Sequence, residues 1–345
     1  MKPTIADVAQ LAGVSQATVS RALRGVDSVT PTTRQKVLQA AEQLHFTLSK
    51  HASSLASGKN MRVMLLTSGK LNQWFNANVL QGIYDVLNPA GYDIAPSYII
   101  TQQDAIDFFR HLPNVGNVDA MIIASFQVDN QMRAYLQQTD IPVIGVDIPA
   151  QSYGNASIGI DNVDGMRKAV QLLRSLGHST IGFVTDYMPA DMVYSTVERA
   201  HIFEQVAQEY GLDQRHAPII SLSEYDHFTS NEQIANELVS RILGLEQRPT
   251  ALCVQTDASA IAVIKALRNQ GIRVPEDMSV VGFDDADIAD IADLTTLRQD
   301  PYAMGVIAAK KTLDLLHGVE LAHPHELLPA RIILRSTTQL AKGLA

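Results

Sequence analysis

The chain has a single cysteine, Cys253, so an internal disulfide is impossible and paired-thiol redox chemistry is excluded with it. Cys253 sits in the apolar run Ala251 to Val254, where burial in a strand is expected rather than a catalytic role. No apolar run reaches the roughly 18 residues that span a bilayer, so no membrane partner is expected. Met1 to Ala12 is amphipathic and carries Asp7, unlike a signal peptide, and a cytoplasmic location is expected. Catalytic motifs are missing too. Thr67-Ser68-Gly69-Lys70-Leu71 matches neither the dinucleotide fingerprint nor the phosphate-binding loop, and no nucleophile elbow occurs. The acidic run Asp284, Asp285, Asp287, Asp290 and Asp293 lacks the glycine and closing glutamate of an EF-hand and reads as a solvated helix end. His323-Pro324-His325 has no companion at metal-ligand spacing and reads as a loop. Neither an enzyme, nor a cofactor, nor a metal is therefore expected.

What is present is a packed chain of 345 residues, 46% hydrophobic and 18% charged, longer than one core usually organises. Its charge is uneven. Residues 1–60 carry seven Lys and Arg against three Asp and Glu, a net of +4, which leaves −13 for the rest of a chain whose total is −9. A basic head on an acidic body suits a polyanion at one end only.

The head reads as three short helices. Ile5, Val8, Ala9 and Ala12 share one face, with Thr4 placed to cap the helix and Gly13 to end it. Ser15 is placed to cap a second helix from Gln16 to about Leu23, whose Val19 and Leu23 face inward. A third starts at Thr30-Pro31, with Val37, Ala41 and Leu44 on one face. Two short helices around a glycine turn form a helix-turn-helix, and the second leaves Gln16, Ala17, Ser20 and Arg21 facing outward, where a recognition helix meets base edges. Arg21 can bridge guanine O6 and N7, and Ala17 can touch a thymine methyl.

These residues carry a resemblance. Thr4-Ile5-Ala6-Asp7-Val8-Ala9, Ala12-Gly13-Val14-Ser15 and Ala17-Thr18-Val19-Ser20-Arg21-Ala22-Leu23 resemble the headpiece signature of the LacI/GalR repressor family, and the likeness continues more loosely along most of the chain. It implies a repressor that binds a pseudo-palindromic double-stranded operator as a homodimer and answers allosterically to a small molecule. The DNA-facing set it implies is Thr4, Ser15, Gln16, Ala17, Thr18, Ser20, Arg21 and Arg24. Leu55 is added from the hinge, where paired helices wedge a leucine into the minor groove. The segment between Phe46 and Met61 is small and polar, and a helix there is too short to stand alone. Leu48 stands where the family usually has proline.

From Arg62 onward, short apolar runs alternate with helical patterns. Strands are expected near Val63–Thr67, Asp93–Ile99, Ala120–Ala124, Val143–Val146, Ser157–Ile160, Ile181–Thr185, Ile219–Leu222, Ala251–Val254 and Ser279–Phe283. Helices such as Met166–Leu176 and Ala258–Gln270 lie between them, so the body is α/β with parallel sheets. The resemblance implies two lobes of the periplasmic-binding-protein type. The division expected is a headpiece over 1–46, a hinge over 47–60 and an effector and dimerisation domain over 61–345. Its N-lobe takes about 61–160 and 300–325, and its C-lobe about 161–299 and 326–338.

Ligands in open α/β sheets sit beyond the carboxyl ends of strands. Asp147, Thr256, Asp284 and Gln299 follow strands, Trp74 lies after the first, and Ser195 precedes Arg199 by one helical turn. The resemblance places Arg199 and Asp284 at the main effector positions, with Asp147, Thr256 and Gln299 around them and Phe228 loosely at an aromatic one. Thr256 stands where asparagine is usual, and Ile202 where glycine is usual. Carboxylates, an arginine fork and aromatic faces together suit a polyhydroxylated ligand. A sugar or sugar derivative is expected, with a nucleobase or another metabolite as the alternative effector, and a sugar-binding protein without DNA regulation as the alternative function. Arg199→Ala and Asp284→Asn are expected to fold normally and lose effector affinity.

Overall fold

The computed structural model describes residues 3–23, 28–46, 60–112, 118–149, 153–188, 192–223 and 230–342. The chain forms two compact units, and the first ends at Arg62 apart from a small excursion that includes Asp119.

Three helices build the first unit: α1 (Ile5–Ala12), α2 (Gln16–Leu23) and α3 (Pro31–Gln43). Each start follows from a side chain that satisfies an otherwise unpaired backbone N–H. Thr4 and Asp7 form a reciprocal capping box, Thr18 N donates to Ser15 Oγ (3.1 Å), and Thr33 N donates to Thr30 Oγ1 (3.3 Å). Gly13, at φ +66°, ends α1 in the left-handed conformation that glycine adopts without strain. Val8, Ala9, Val19, Ala22, Val29, Val37, Ala40 and Ala41 close the core.

The second unit holds two six-stranded sheets. The first contains β1 (Arg62–Ser68), β2 (Asp93–Ile99), β3 (Ala120–Ala124), β4 (Val143–Val146), β5 (Ala156–Ile160) and β11 (His325–Leu328), in the order β11-β5-β4-β3-β1-β2. The second contains β6 (Ile181–Tyr187), β7 (Ile219–Leu222), β8 (Ala251–Val254), β9 (Ser279–Asp284), β10 (Thr296–Arg298) and β12 (Arg331–Ile333), in the order β12-β10-β9-β8-β6-β7. Pairing is parallel from β11 to β1 in the first sheet and across the second, except that β12 runs antiparallel to β10. The intervening helices are α4 (Trp74–Leu87), α5 (Gln102–His111), α6 (Asn130–Leu136), α7 (Asn162–Ser175), α8 (Ser195–Glu209), α9 (Asn231–Gly244), α10 (Asp257–Asn269), α11 (Asp287–Ile291) and α12 (Pro301–Leu316). Cys253 is buried in β8, where desolvation pushes its thiol up to about 12.

Three details differ from expectation. Helix α7 begins four residues before Met166, because Asp161 accepts from Asp164 N (2.8 Å) and caps a first turn too polar to show in the apolar pattern. The third crossing between sheets, expected near Glu326, falls after Leu328, since His325 to Leu328 pair in register with Ser157 to Ile160. His325 is therefore a strand residue, bonded to Ser157 Oγ through Nδ1 (2.9 Å), and not part of a loop.

Helices α4 and α12 pack face to face, and their contact passes through two glycines. A Cβ at Gly82 would overlap the Tyr302 carbonyl, and one at Gly305 would overlap the Val79 carbonyl, so the two backbones meet only because neither residue has a side chain. Gly305→Ala should lower stability by about 1–3 kcal/mol despite alanine's better helix propensity. Urea unfolding measures it, and a midpoint equal to or above the parent's would show that the helices can separate freely.

Candidate functional site

The ends of the strands set the geometry. Asp147 follows β4, Asn162 begins α7 just beyond β5, Gln255 and Thr256 follow β8, and Asp284 ends β9. Four non-glycine residues at these ends have positive φ: Ser125 (+70°), Asp147 (+46°), Asp284 (+124°) and Asp285 (+57°). Such conformations cost on the order of 1–3 kcal/mol each and persist where surrounding structure enforces them, often at functional sites.

Arg199, in the second turn of α8, is the centre. Its side chain is 2% exposed and lies between two carboxylates, with Nη2 3.6 Å from Asp147 Oδ2 and Nη1 3.8 Å from Asp284 Oδ1. Nε donates to Asn162 Oδ1 (3.3 Å), Nη1 donates to the Gln255 carbonyl (2.9 Å), and the guanidinium lies 3.6 Å from the centre of the Phe283 ring. Burying an arginine is tolerable only with this degree of pairing. Two of its five N–H donors are thus hydrogen-bonded, and its charge is balanced by the two carboxylates.

The surrounding acids carry the opposite imbalance. Burial raises Asp147, against the pull of Arg199, the Ile160 backbone and the Ser195 hydroxyl. Burial pushes Asp284 up to about 7, with Arg199 opposing and Asp257 reinforcing. Asp257 is raised to about 6, again by burial, although it accepts from Thr296 Oγ1 (2.6 Å) and Ala286 N (2.9 Å). Gln299 Nε2 donates to Asp284 Oδ1 (2.6 Å). Two buried acceptors, Asp147 Oδ2 and Gln299 Oε1, meet no hydrogen-bond donor among the described residues. Buried acceptors of this kind favour a ligand that brings donors.

Of the expected effector residues, Asp147, Ser195, Arg199, Asp284 and Gln299 come together. Thr256 lies at the same strand end, but its hydroxyl caps α10, accepting from Ser259 N (3.2 Å) and donating to Ser259 Oγ (3.1 Å). Trp74 is half-buried at the start of α4 and enters none of the bonds around Arg199 found among the described residues. Phe228 lies outside the described residues. Asn162, Gln255 and Phe283 went unnoticed in the sequence, where Asp257 shows only as a polar residue following the strand that ends at Val254. The after-the-strand rule carried two residues beyond Ile160 would have reached Asn162, whereas Gln255 acts through its backbone and Phe283 reads as ordinary core. The acidic run is dispersed: Asp285 pairs with Arg298 (2.5 Å) and Arg335 (2.8 Å). No group of three or more metal-ligating side chains able to hold an ion occurs among the described residues.

In the headpiece, Gln16, Ala17 and Arg21 are exposed on α2, and Ser20 is half-buried. The other expected contacts have internal work. Thr4 is bonded to Asp7, whose carboxyl it holds below the usual range, and Ser15 Oγ lies 2.9 Å from Thr18 Oγ1. Arg24 and Leu55 lie outside the described residues.

Comparison with known proteins gives two family matches: the bacterial regulatory proteins of the lacI family over residues 4–49, and a periplasmic binding protein-like domain over residues 170–338. Catabolite control protein A of Priestia megaterium is 30% identical over 344 residues, 98% of this chain and 100% of that protein. A Lac repressor dimer bound to operator and the anti-inducer ONPF matches with a TM-score of 0.83 at 25% identity, covering 98% of this chain and 100% of that one. The transcriptional regulator CelR in complex with cellobiose matches with a TM-score of 0.65 at 26% identity, covering 97% and 99%.

Burial of the cluster changes one expectation and generates another. Arg199→Ala should not fold like the parent, because it leaves Asp147 and Asp284 buried without their counter-charge. The raised pKa of Asp284 means that the folded chain keeps a proton that the unfolded chain releases between about pH 4 and 7. Stability from this group is therefore full below about pH 4 and falls as pH rises through 7. Asp284→Asn removes that component, so its urea midpoint should decline less between pH 5 and 8 than the parent's. Parallel profiles would show that Asp284 titrates as an ordinary carboxylate.

Proposed function

The chain belongs to the LacI family of bacterial regulatory proteins, and on that premise we propose that it is a homodimeric repressor controlled by an uncharged, hydroxyl-rich small molecule, a sugar or sugar derivative. Its activity is DNA-binding transcriptional regulation, not catalysis. The observation that carries the effector reading is the pair of buried acceptors, Asp147 Oδ2 and Gln299 Oε1, beside an arginine whose charge is already balanced by two carboxylates. Hydroxyl groups bring the donors that those oxygens want, whereas a phosphate brings only acceptors. The cellobiose bound by CelR supports the same ligand class. A nucleobase also brings donors, but Arg199 already covers one face of Phe283, which disfavours stacking there.

On the DNA side, Gln16, Ala17 and Arg21 read bases, Thr4, Ser15 and Thr18 set the helix ends, and Ser20 flanks the reading face. Arg24 adds charge, and the hinge over 47–60 brings Leu55 to the minor groove. A second headpiece supplies the other half-site, because one offers too few contacts and two-fold symmetry in the protein implies it in the DNA. A chromosome-binding regulator belongs in the cytoplasm.

Two measurements test this. Duplexes selected by the purified chain from a random pool should be two-fold symmetric, and Arg21→Ala should weaken binding to them by about 1–3 kcal/mol per half-site and flatten preference at one base pair. Unchanged affinity and preference at fixed salt would remove Arg21 as a base reader. In a thermal-shift screen of neutral sugars, sugar phosphates and nucleobases, neutral sugars should raise the melting temperature. Asp284→Asn should then weaken the active sugar about tenfold, as the loss of a charge-assisted bond implies. Stabilisation by phosphorylated ligands alone would contradict the reading.

A further inference from the structure

The connection that leads from β6 into α8 does not stay with its own sheet. Over its last residues it pairs with the first lobe, where Phe126 and Tyr194 form an antiparallel bridge. Gln127 N donates to the Val193 carbonyl (2.8 Å), and Ser195 N donates to the Ser125 carbonyl (3.1 Å). Tyr194 Oη donates to the carbonyl of Ile100, just beyond β2 (2.8 Å). Phe126, Val128 and Met192 are buried around these bonds, which keeps water from competing for them.

The consequence falls on α8. Its N-cap, Tyr194, makes no side-chain capping bond, and one of the helix's unpaired N–H groups, that of Ser195, is satisfied instead by a carbonyl of the opposite lobe. That carbonyl belongs to Ser125, which is held at φ +70° and also accepts from Ser68 Oγ (3.2 Å). Helix α8 carries Ser195 in its first turn and Arg199 in its second, so its start is referenced to the first lobe, where Asp147 stands. Separating the lobes would strip Ser195 N of its acceptor and draw Arg199 away from Asp147 in one movement.

We propose that Tyr194 is a positioning residue of the effector pocket, the adjustable side-chain bond of a clasp that joins the lobes and sets the distance between Arg199 and Asp147. Its importance for regulation rests on the effector reading above. The clasp itself is tested without any ligand, so its failure and the failure of that reading stay distinct.

The test is Tyr194→Phe in the full chain, which removes one hydroxyl and keeps the ring. Hydrogen exchange at the Gln127 and Ser195 amides should quicken about five- to tenfold, the weight of one neutral hydrogen bond. The urea midpoint and exchange in β8 should shift by no more than the same single bond is worth, since only the native state loses it. A looser clasp also admits water to the cluster, so the Asp284 carboxyl, followed by NMR, should titrate below its parent value. The Phe126→Cys, Tyr194→Cys pair provides the converse variant. These residues face each other in an antiparallel bridge, at a spacing that suits a disulfide, and the native thiol of Cys253 is buried. Oxidation should slow exchange at Gln127 and Ser195, and reduction should restore it. Exchange at those amides that is unchanged in Tyr194→Phe, or that the disulfide leaves unchanged, overturns the proposal.

Discussion

The second unit depends on a buried guanidinium. Arg199 is inaccessible to water, and a charge so placed must be matched by fixed groups around it. The match comes from both lobes: Asp147 from the first sheet, and Asp284, Gln255 and Phe283 from the second, with Asn162 at the crossing between them. Neither sheet alone supplies this environment. The positive φ values at Asp147 and Asp284 follow from the same need, since each carboxylate turns back toward the cation at the point where its strand ends.

That arrangement also leaves its oxygens short of donors. Two carboxylates and one guanidinium leave an excess of acceptor oxygens, and burial drives Asp284 to share the deficit with a proton. On the proposed reading, a ligand that supplies donors would take over that proton's role and favour whichever arrangement of the lobes offers it most contacts. It can shift the equilibrium only by that difference. The headpiece works by other rules. Its small core serves to hold Gln16, Ala17 and Arg21 outward on one short helix, and its caps do for eight-residue helices what length does elsewhere.

Much of this was legible in the sequence, for identifiable reasons. The helix starts at Thr4 and Thr30 and the stop at Gly13 depend on local chemistry, which a sequence displays directly. The long parallel strands show as apolar runs because both faces are covered. The short edge strands β11 and β12 are half exposed and carry no such run, so they stayed hidden and displaced the third crossing. At the site, carboxylates after strands were visible, but Gln255 contributes a backbone carbonyl and Phe283 a ring face, and neither role is written in a residue type. Thr256 adds a role not read in the sequence, its hydroxyl capping the helix that follows. The full burial of Arg199 was out of reach as well, because it arises only when two distant lobes meet.

The central claim is that Arg199 is held by the charges on either side of it, and not merely by packing. The direct measurement is the unfolding free energy of Arg199→Met compared with that of Arg199→Met combined with Asp147→Asn and Asp284→Asn. If the cluster is electrostatically coupled, the single variant loses about 3–5 kcal/mol through its uncompensated carboxylates, and the triple variant recovers most of that loss. A triple variant as unstable as the single one would contradict the account and leave Arg199 as a space-filling residue in an ordinary core.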